Sequence, residues 1–125
     1  PQIRLQIENV RVPLNDAVPL ALITQELVTN AVSHAFSDPT SKDPTVEVTL
    51  RNRSGSYELI VRDNGTGIEE NSSTIHGATM GFAIIRTLQE QLGAELTYRN
   101  EGGAFFRLTV PAHRIAEEPA EAPTA

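Results

Sequence analysis

"TVEVTLRNRSGSYELIVRDNGTG", residues 45–67, decides how the rest of the chain is read. Val46, Val48 and Leu50 alternate with Glu47, Thr49 and Arg51, and "YELIVR" follows after "NRSGS". Two alternating runs joined by a short segment with Gly55 at the turn predict a β-hairpin. Asp63-Asn64-Gly65 is itself a strong hairpin-turn signal, so a third strand is due at once. Instead "TGIEENSSTI" has neither alternation nor β-branched density, and the hairpin opens into a polar, glycine-bearing loop over 63–81. A loop of that length without its own regular structure is more often functional than idle.

Outward from the hairpin, the elements fall into place. "IRLQI" and "VRVPL" alternate, which predicts strand over residues 3–14 with a bend at Glu8-Asn9. Asn15 and Asp16 supply N-cap chemistry, and Pro19 suits a first helical turn. Leu20, Ile23, Leu27 and Ala31 repeat at helical spacing and form a core stripe to about Phe36. "SDPTSKDP" reads as loop. Beyond the long loop, "FAIIRTLQEQL" is a helix with Ile84, Ile85, Leu88 and Leu92 on one side and Gly93 as its left-handed end. "AELTY" and "AFFRLTV" make a second hairpin across "RNEGG", ended by Pro111. The order strand, helix, two strands, long loop, helix, two strands predicts an α+β two-layer sandwich: a mixed, mostly antiparallel sheet with helices on one face. Residues 1–111 form that single domain. The Ala, Glu and Pro tail over 112–125 is expected to be disordered.

Composition narrows the function. The 125 residues carry a net charge of −6; the tail holds three Glu against one Arg, or −2, which leaves −4 for the body. A nucleic-acid footprint would be basic, so that partner is excluded. There is no cysteine, hence no disulfide framework and no thiolate chemistry. With no apolar run of membrane-spanning length and no signal peptide, a cytoplasmic segment without membrane contact is expected. The opening "PQIRLQ" has no Met and reads as part of something longer.

Two features lack a core explanation. In "ELVTNAVSHAF" (26–36), Glu26, Thr29, Asn30 and Ser33 line one helical stripe with no Lys or Arg in it, unlike an ordinary solvated face. The other is the 63–81 loop. As a calcium loop it fails, because positions three, five and six counted from Asp63 are Gly65, Gly67 and Ile68. As a dinucleotide fingerprint it fails at Glu70, and no Walker A sequence occurs. What it does offer is physical. Gly65, Gly67, Gly77 and Gly81 allow positive φ and close backbone approach, and Gly81 stands just before a helix whose free N–H groups suit phosphate. Asp63, a lone carboxylate leaving the sheet, can accept hydrogen bonds from an exocyclic amine. Asn30 would then offer an oxygen to Mg²⁺ beside phosphates, and Glu26 a base or water-positioning group.

These residues carry a resemblance. "ELVTNAVSHAF" resembles the N box, "DNGTG" the G1 box and "GATMGFAII" the G2 box of the GHKL ATPases, which include gyrase, heat-shock chaperone, histidine kinase and mismatch-repair ATPases. The order, spacing and intervening hairpin match over roughly residues 3–111. Within that superfamily, "PLALITQELVTNAVSHAF", "GFAIIRTLQEQLGAEL" and "GGAFFRLTVP" most resemble the catalytic domain of bacterial sensor histidine kinases. The short lid, 13 residues from Ile68 to Met80, is similar to the compact-lid HWE and HisKA-2-like branch. The resemblance implies a Bergerat-type ATP-binding fold and ATP with Mg²⁺ as cofactors. Asn30 would chelate the metal, Glu26 assist phosphoryl transfer and Asp63 bind the adenine amine. Gly65, Gly67, Gly77 and Gly81 would shape pocket and lid, with Phe82 in the G2 box beside them.

The chain also departs from the family pattern. Ser33 stands where the N box usually has a phosphate-touching Lys, Thr79 where a G2 glycine is common, and Ala104 where a Thr often follows the last hairpin glycine. His34 would partly replace the missing Lys if it turns to the pocket. No phosphoacceptor hairpin fits in the chain. The implied function is therefore an ATP- and Mg²⁺-binding protein-histidine kinase domain that presents a γ-phosphate to a His on a separate helical dimerisation domain of the same parent. A response regulator would act downstream, and the chain would not autophosphorylate alone. Two alternatives stand beside it: an anti-sigma-factor serine kinase, and a nucleotide-regulated binding module.

Overall fold

The computed structural model describes residues 2–35, 43–67 and 80–111, with side chains described throughout these except at 34, 35 and 80–82. The elements are β1 (Gln2–Ile7), α1 (Leu14–Asn30) continuing into a π-helical turn (Ala31–Ala35), β2 (Thr45–Arg53), β3 (Ser56–Asp63), α2 (Met80–Leu92), β4 (Glu95–Asn100) and β5 (Ala104–Val110). They build one five-stranded sheet in the order β1-β2-β3-β5-β4. Among the described residues only β1 and β2 run parallel, as the α1 crossover between them requires; the other pairs are antiparallel. The predicted α+β sandwich is therefore the observed one.

Register explains the core. Val46 pairs with Asp63, Val48 with Val61 and Leu50 with Leu59; across β3, Val61 pairs with Phe106 and Leu59 with Leu108. These residues share one face of the pleat, and Leu20, Ile23 and Leu27 of α1 with Ile85 and Leu92 of α2 close over it. Each fully buried aliphatic side chain contributes on the order of 2 kcal/mol by leaving water. The β2–β3 hairpin closes through Ser54 (φ 43°) and Gly55 (φ 86°). Both central residues are thus left-handed, the backbone sense that matches strand twist. Gly93 ends α2 at φ 62°, as its sequence position predicts.

Several local expectations are corrected. β1 stops at Ile7, and residues 8–13 lie outside regular structure although "VRVPL" alternates. The helix starts at Leu14 behind a buried Pro13, not behind a side-chain cap from Asn15 or Asp16. Asp16 lies within the first turn and is almost fully buried. Pro19 falls in the second turn, where it has no N–H for the carbonyl of exposed Asn15. Helix α2 begins two residues before Phe82, which places Gly81 inside its first turn. Phe105 is buried on the sheet face opposite the helices, where the Arg99 guanidinium stacks 4.1 Å from its ring centre and Arg62 lies at 5.8 Å.

Candidate nucleotide-binding site

Asp63 is the last residue of β3, the most deeply placed strand, and its carboxylate is buried. Two backbone N–H groups converge on its Oδ1: Gly65 donates at 2.9 Å, closing an Asx turn, and Ala104 at the start of β5 donates at 3.1 Å. Oδ2 takes no hydrogen bond from the described residues. The next residue locks the neighbouring strand: Thr45 N–H donates to Asn64 Oδ1 at 2.9 Å, and Asn64 Nδ2 donates to the Asp43 carbonyl at 3.0 Å. The G1 segment is thus tied to both neighbours of β3, β2 on one side and β5 on the other.

Two glycines make that clamp possible. Gly103, at φ 135°, brings its backbone so close that a Cβ there would stand 2.0 Å from the Asp63 carbonyl oxygen and 2.8 Å from Oδ1. Gly67, at φ 88°, would place a Cβ 2.7 Å from Asn100 Oδ1 at the end of β4. The β4–β5 turn therefore braces the segment after β3 from the side. The sequence places Gly67 in the pocket but marks Gly103 and Asn100 only as residues of a hairpin turn. Their role arises from long-range pairing; the doubled glycine in "RNEGG" was the one visible signal. Conversely, Gly65 takes no positive φ, and Gly81 sits within a helix. Gly65 contributes its N–H, not backbone freedom.

On the helix side, Asn30 is the last α-helical residue, and the π turn follows without a break. Ala31 N–H is shared between the Leu27 and Val28 carbonyls, four and three residues back, and the π turn begins at that residue. Such π segments recur at functional sites. The π turn packs on β3, and because β1 and β2 run parallel with Val46 paired to Asp63, the α1 crossover delivers its Asn30 end to the sheet end that carries Asp63. Asn30 is half-buried, and its Nδ2 is fully enclosed with no hydrogen-bond partner among the described residues. A carboxamide's two ends are distinguished only by their partners. The open atom can therefore donate to a phosphate oxygen or, with the amide turned over, offer oxygen to a cation. Glu26, one turn earlier on the same flank, is half-buried, whereas Thr29 and Ser33 of the same stripe are exposed. Among the described residues no group of three His, Asp or Glu side chains could hold a metal. A cation here would rest on one amide and on its ligand's own oxygens, an arrangement Mg²⁺ commonly adopts with phosphates. Gly77 lies outside the described residues, as do the side chains of His34 and Phe82; the backbone of His34 belongs to the π turn and that of Phe82 to α2.

Architecture and site together define a class: a two-layer α+β domain whose helix-covered sheet carries a backbone-clamped carboxylate beside an amide at a helix end. The model of the histidine kinase-, DNA gyrase B- and HSP90-like ATPases matches residues 15–114, and the chain belongs to that family. It is 33% identical over 112 residues to blue-light-activated histidine kinase 2 of Erythrobacter litoralis, an alignment covering 88% of this chain and 32% of that protein. The sensor histidine kinase PdtaS of Mycobacterium tuberculosis is 32% identical over 101 residues, covering 78% and 20%. Among solved structures, the histidine kinase domain from the Erythrobacter litoralis EL346 blue-light-activated kinase superposes with a TM-score of 0.80 at 32% identity, over 94% of this chain and 56% of that one. The chain thus spans a third or less of the curated relatives' length and is homologous to the ATPase catalytic domain of sensor histidine kinases. No helix among the described residues is long and apolar enough to cross a membrane.

Proposed function

We propose that residues 1–111 are the ATP- and Mg²⁺-binding catalytic domain of a longer, cytoplasmic sensor histidine kinase, and that residues 112–125 are a tail outside it. The chain presents the γ-phosphate of its nucleotide to a phosphoacceptor His on a helical domain of the same parent, from which a response regulator is served. The observation that carries this reading is the Asp63 clamp: a buried carboxylate whose Oδ1 is held by two backbone N–H groups while Oδ2 takes no hydrogen bond from the described residues. A rigid lone acceptor of that kind selects a donor such as the adenine exocyclic amine, because a misplaced or missing donor would leave a buried charge unsatisfied.

Asn30 would hold Mg²⁺ through its side-chain oxygen, and the segment from Gly65 to Gly67 would border the base. Gly77, Gly81 and Phe82 would belong to the lid side by the family resemblance, and His34 would supply the positive charge that Ser33, in place of the usual Lys, does not. When bound, Mg·ATP supplies the transferable phosphoryl group and most of the charge neutralisation. Glu26 takes the proton of the incoming imidazole at its carboxylate and keeps it aligned. A nucleotide-regulated binding module is the second reading, favoured by one observation: Ser33 is exposed and carries no positive charge where phosphate charge would gather.

Calorimetric titration of the chain with a non-hydrolysable ATP analogue, with and without Mg²⁺, tests the site. Metal-dependent binding is expected, with Asp63→Ala weakening it at least a hundredfold and Asn30→Ala removing most of its metal dependence. Binding unaffected by Asp63→Ala would refute the site. For the activity, labelled ATP is added with the upstream helical domain: label on His supports the kinase, label on a Ser of an antagonist protein supports the serine kinase, and binding without label supports the module.

A further inference from the structure

Strand alternation places Arg62, the residue before Asp63, on the sheet face away from the helices. Its cross-strand partner is Phe105 of β5, and Phe105 in turn pairs with Arg99 of β4. Glu101, in the turn after β4, joins the two arginines. Its Oε2 accepts from Arg99 Nε at 3.0 Å and lies 2.9 Å from Arg99 Nη2, while its Oε1 stands 3.8 Å from Arg62 Nη2. Its own N–H donates to the Gly103 carbonyl at 2.7 Å, which folds the turn back on itself. Side chains on the outer face therefore tie β3, β5 and β4 together at one level of the sheet.

That level is the level of the Asp63 clamp, and each member of the tie is the sequence neighbour of a residue at the site. Arg62 precedes Asp63. Phe105 follows Ala104, whose N–H holds Asp63 Oδ1 at 3.1 Å. Glu101 follows Asn100, which abuts Gly67, and its N–H is received by Gly103, whose backbone lies against the Asp63 carbonyl. Successive residues of a strand point to opposite faces but share one planar peptide unit, so a shift of one turns the other. Exposed ion pairs add little to overall stability. Their effect on position is larger where they fix a donor that must meet its acceptor in one geometry, because misplacement of such a group is disproportionately costly.

We propose that Glu101 is a positioning residue of the nucleotide site: by bridging Arg62 and Arg99 on the outer face it fixes the β4–β5 turn, and through Gly103 and Ala104 the direction in which Asp63 offers Oδ2. This rests on the reading of Asp63 as acceptor of the adenine amine. Glu101 itself touches no ligand and acts through the sheet.

Glu101→Gln tests this, since it keeps the length and shape of the side chain and removes its charge. Arg4→Gln is the reference, because it breaks another exposed outer-face pair, Arg4 with Glu47 at 3.9 Å, two strands from β3. Each variant is read by its urea midpoint, by the exchange rate of the Ala104 amide proton in NMR, and by its affinity for two nucleotides. These are a non-hydrolysable ATP analogue and its counterpart whose purine lacks the amine. Both variants are expected to move the urea midpoint by similar small amounts. Only Glu101→Gln is expected to speed Ala104 exchange and to weaken the ATP analogue, each by roughly threefold to fivefold, the range open to one exposed ion pair. The counterpart without the amine should bind Glu101→Gln as it binds the wild type, so discrimination between the two nucleotides narrows by the same factor. Arg62→Gln cuts the same bridge from its other end and should add little further when combined with Glu101→Gln. Equal losses for both nucleotides, unchanged Ala104 exchange, or the same changes in Arg4→Gln would overturn the proposal. A wild-type chain that does not distinguish the two nucleotides would defeat the Asp63 reading, and the role at the site with it, while Ala104 exchange reports on the bridge independently.

Discussion

β1 and β3 carry the same kind of pattern and meet opposite fates. In both, every second residue is aliphatic and faces the helix layer, since Leu50 of β2 pairs with Leu59 on one side and Ile7 on the other. In β3 that row is sealed and ends in a carboxylate, Asp63, which is itself buried. In β1 the row stays open. Alternation therefore fixes which way a side chain points, whereas strand order fixes whether anything covers it. The site occupies the strand with neighbours on both sides because a buried carboxylate needs donors from an adjoining strand; β5 supplies one through Ala104.

The largest effect should come from breaking the closed side of this comparison at Gly103. Its φ of 135° strains any L residue, at a cost of about 1–3 kcal/mol. A Cβ 2.0 Å from a backbone oxygen forces β5 away from β3 as well. Gly103→Ala is therefore expected to lose roughly 3 kcal/mol or more in urea unfolding and to weaken nucleotide binding at least tenfold, since Asp63 loses its Ala104 donor. Full stability with intact binding would show that the turn yields without disturbing the clamp.

Much of this was legible in the sequence because it is local. The Gly55 hairpin, the Gly93 helix end, the second hairpin and the core stripe of α1 each depend on residues a few positions apart. The carboxylate at Asp63 and the amide at Asn30 could be singled out because neither had a core or capping explanation. The bracing by Gly103 and Asn100 was not legible, because it arises from segments about forty residues apart in sequence that meet only through β3–β5 pairing. "VRVPL" misled because alternation was read without a pairing partner. The π turn after Asn30 leaves no mark in "AVSHA", a segment that would serve equally well as α-helix.

A matched pair of leucines sharpens the comparison with effects of intermediate and small size. Leu59 of β3 is 3% exposed and lies in the main core. Leu59→Ala should cost about 2–4 kcal/mol through lost transfer energy and the cavity left behind. Leu5 has the same side chain on the same face of the same sheet, two strands away, with most of its surface in water. Leu5→Ala should cost under about 0.5 kcal/mol in the isolated chain, the usual range for surface positions. Both are read from urea midpoints at constant slope, which separates stability from a change in the denatured state. The difference between them, about 2 kcal/mol or more, measures what cover adds to a strand whose pattern is otherwise alike. If Leu5→Ala cost as much as Leu59→Ala, β1 would be sealed in solution as β3 is, and cover would not separate the two strands. A small cost at Leu5 beside a large one at Leu59 would show that alternation without cover leaves a strand's face nearly neutral for stability, so that burial and not pattern carries the energy of this sheet.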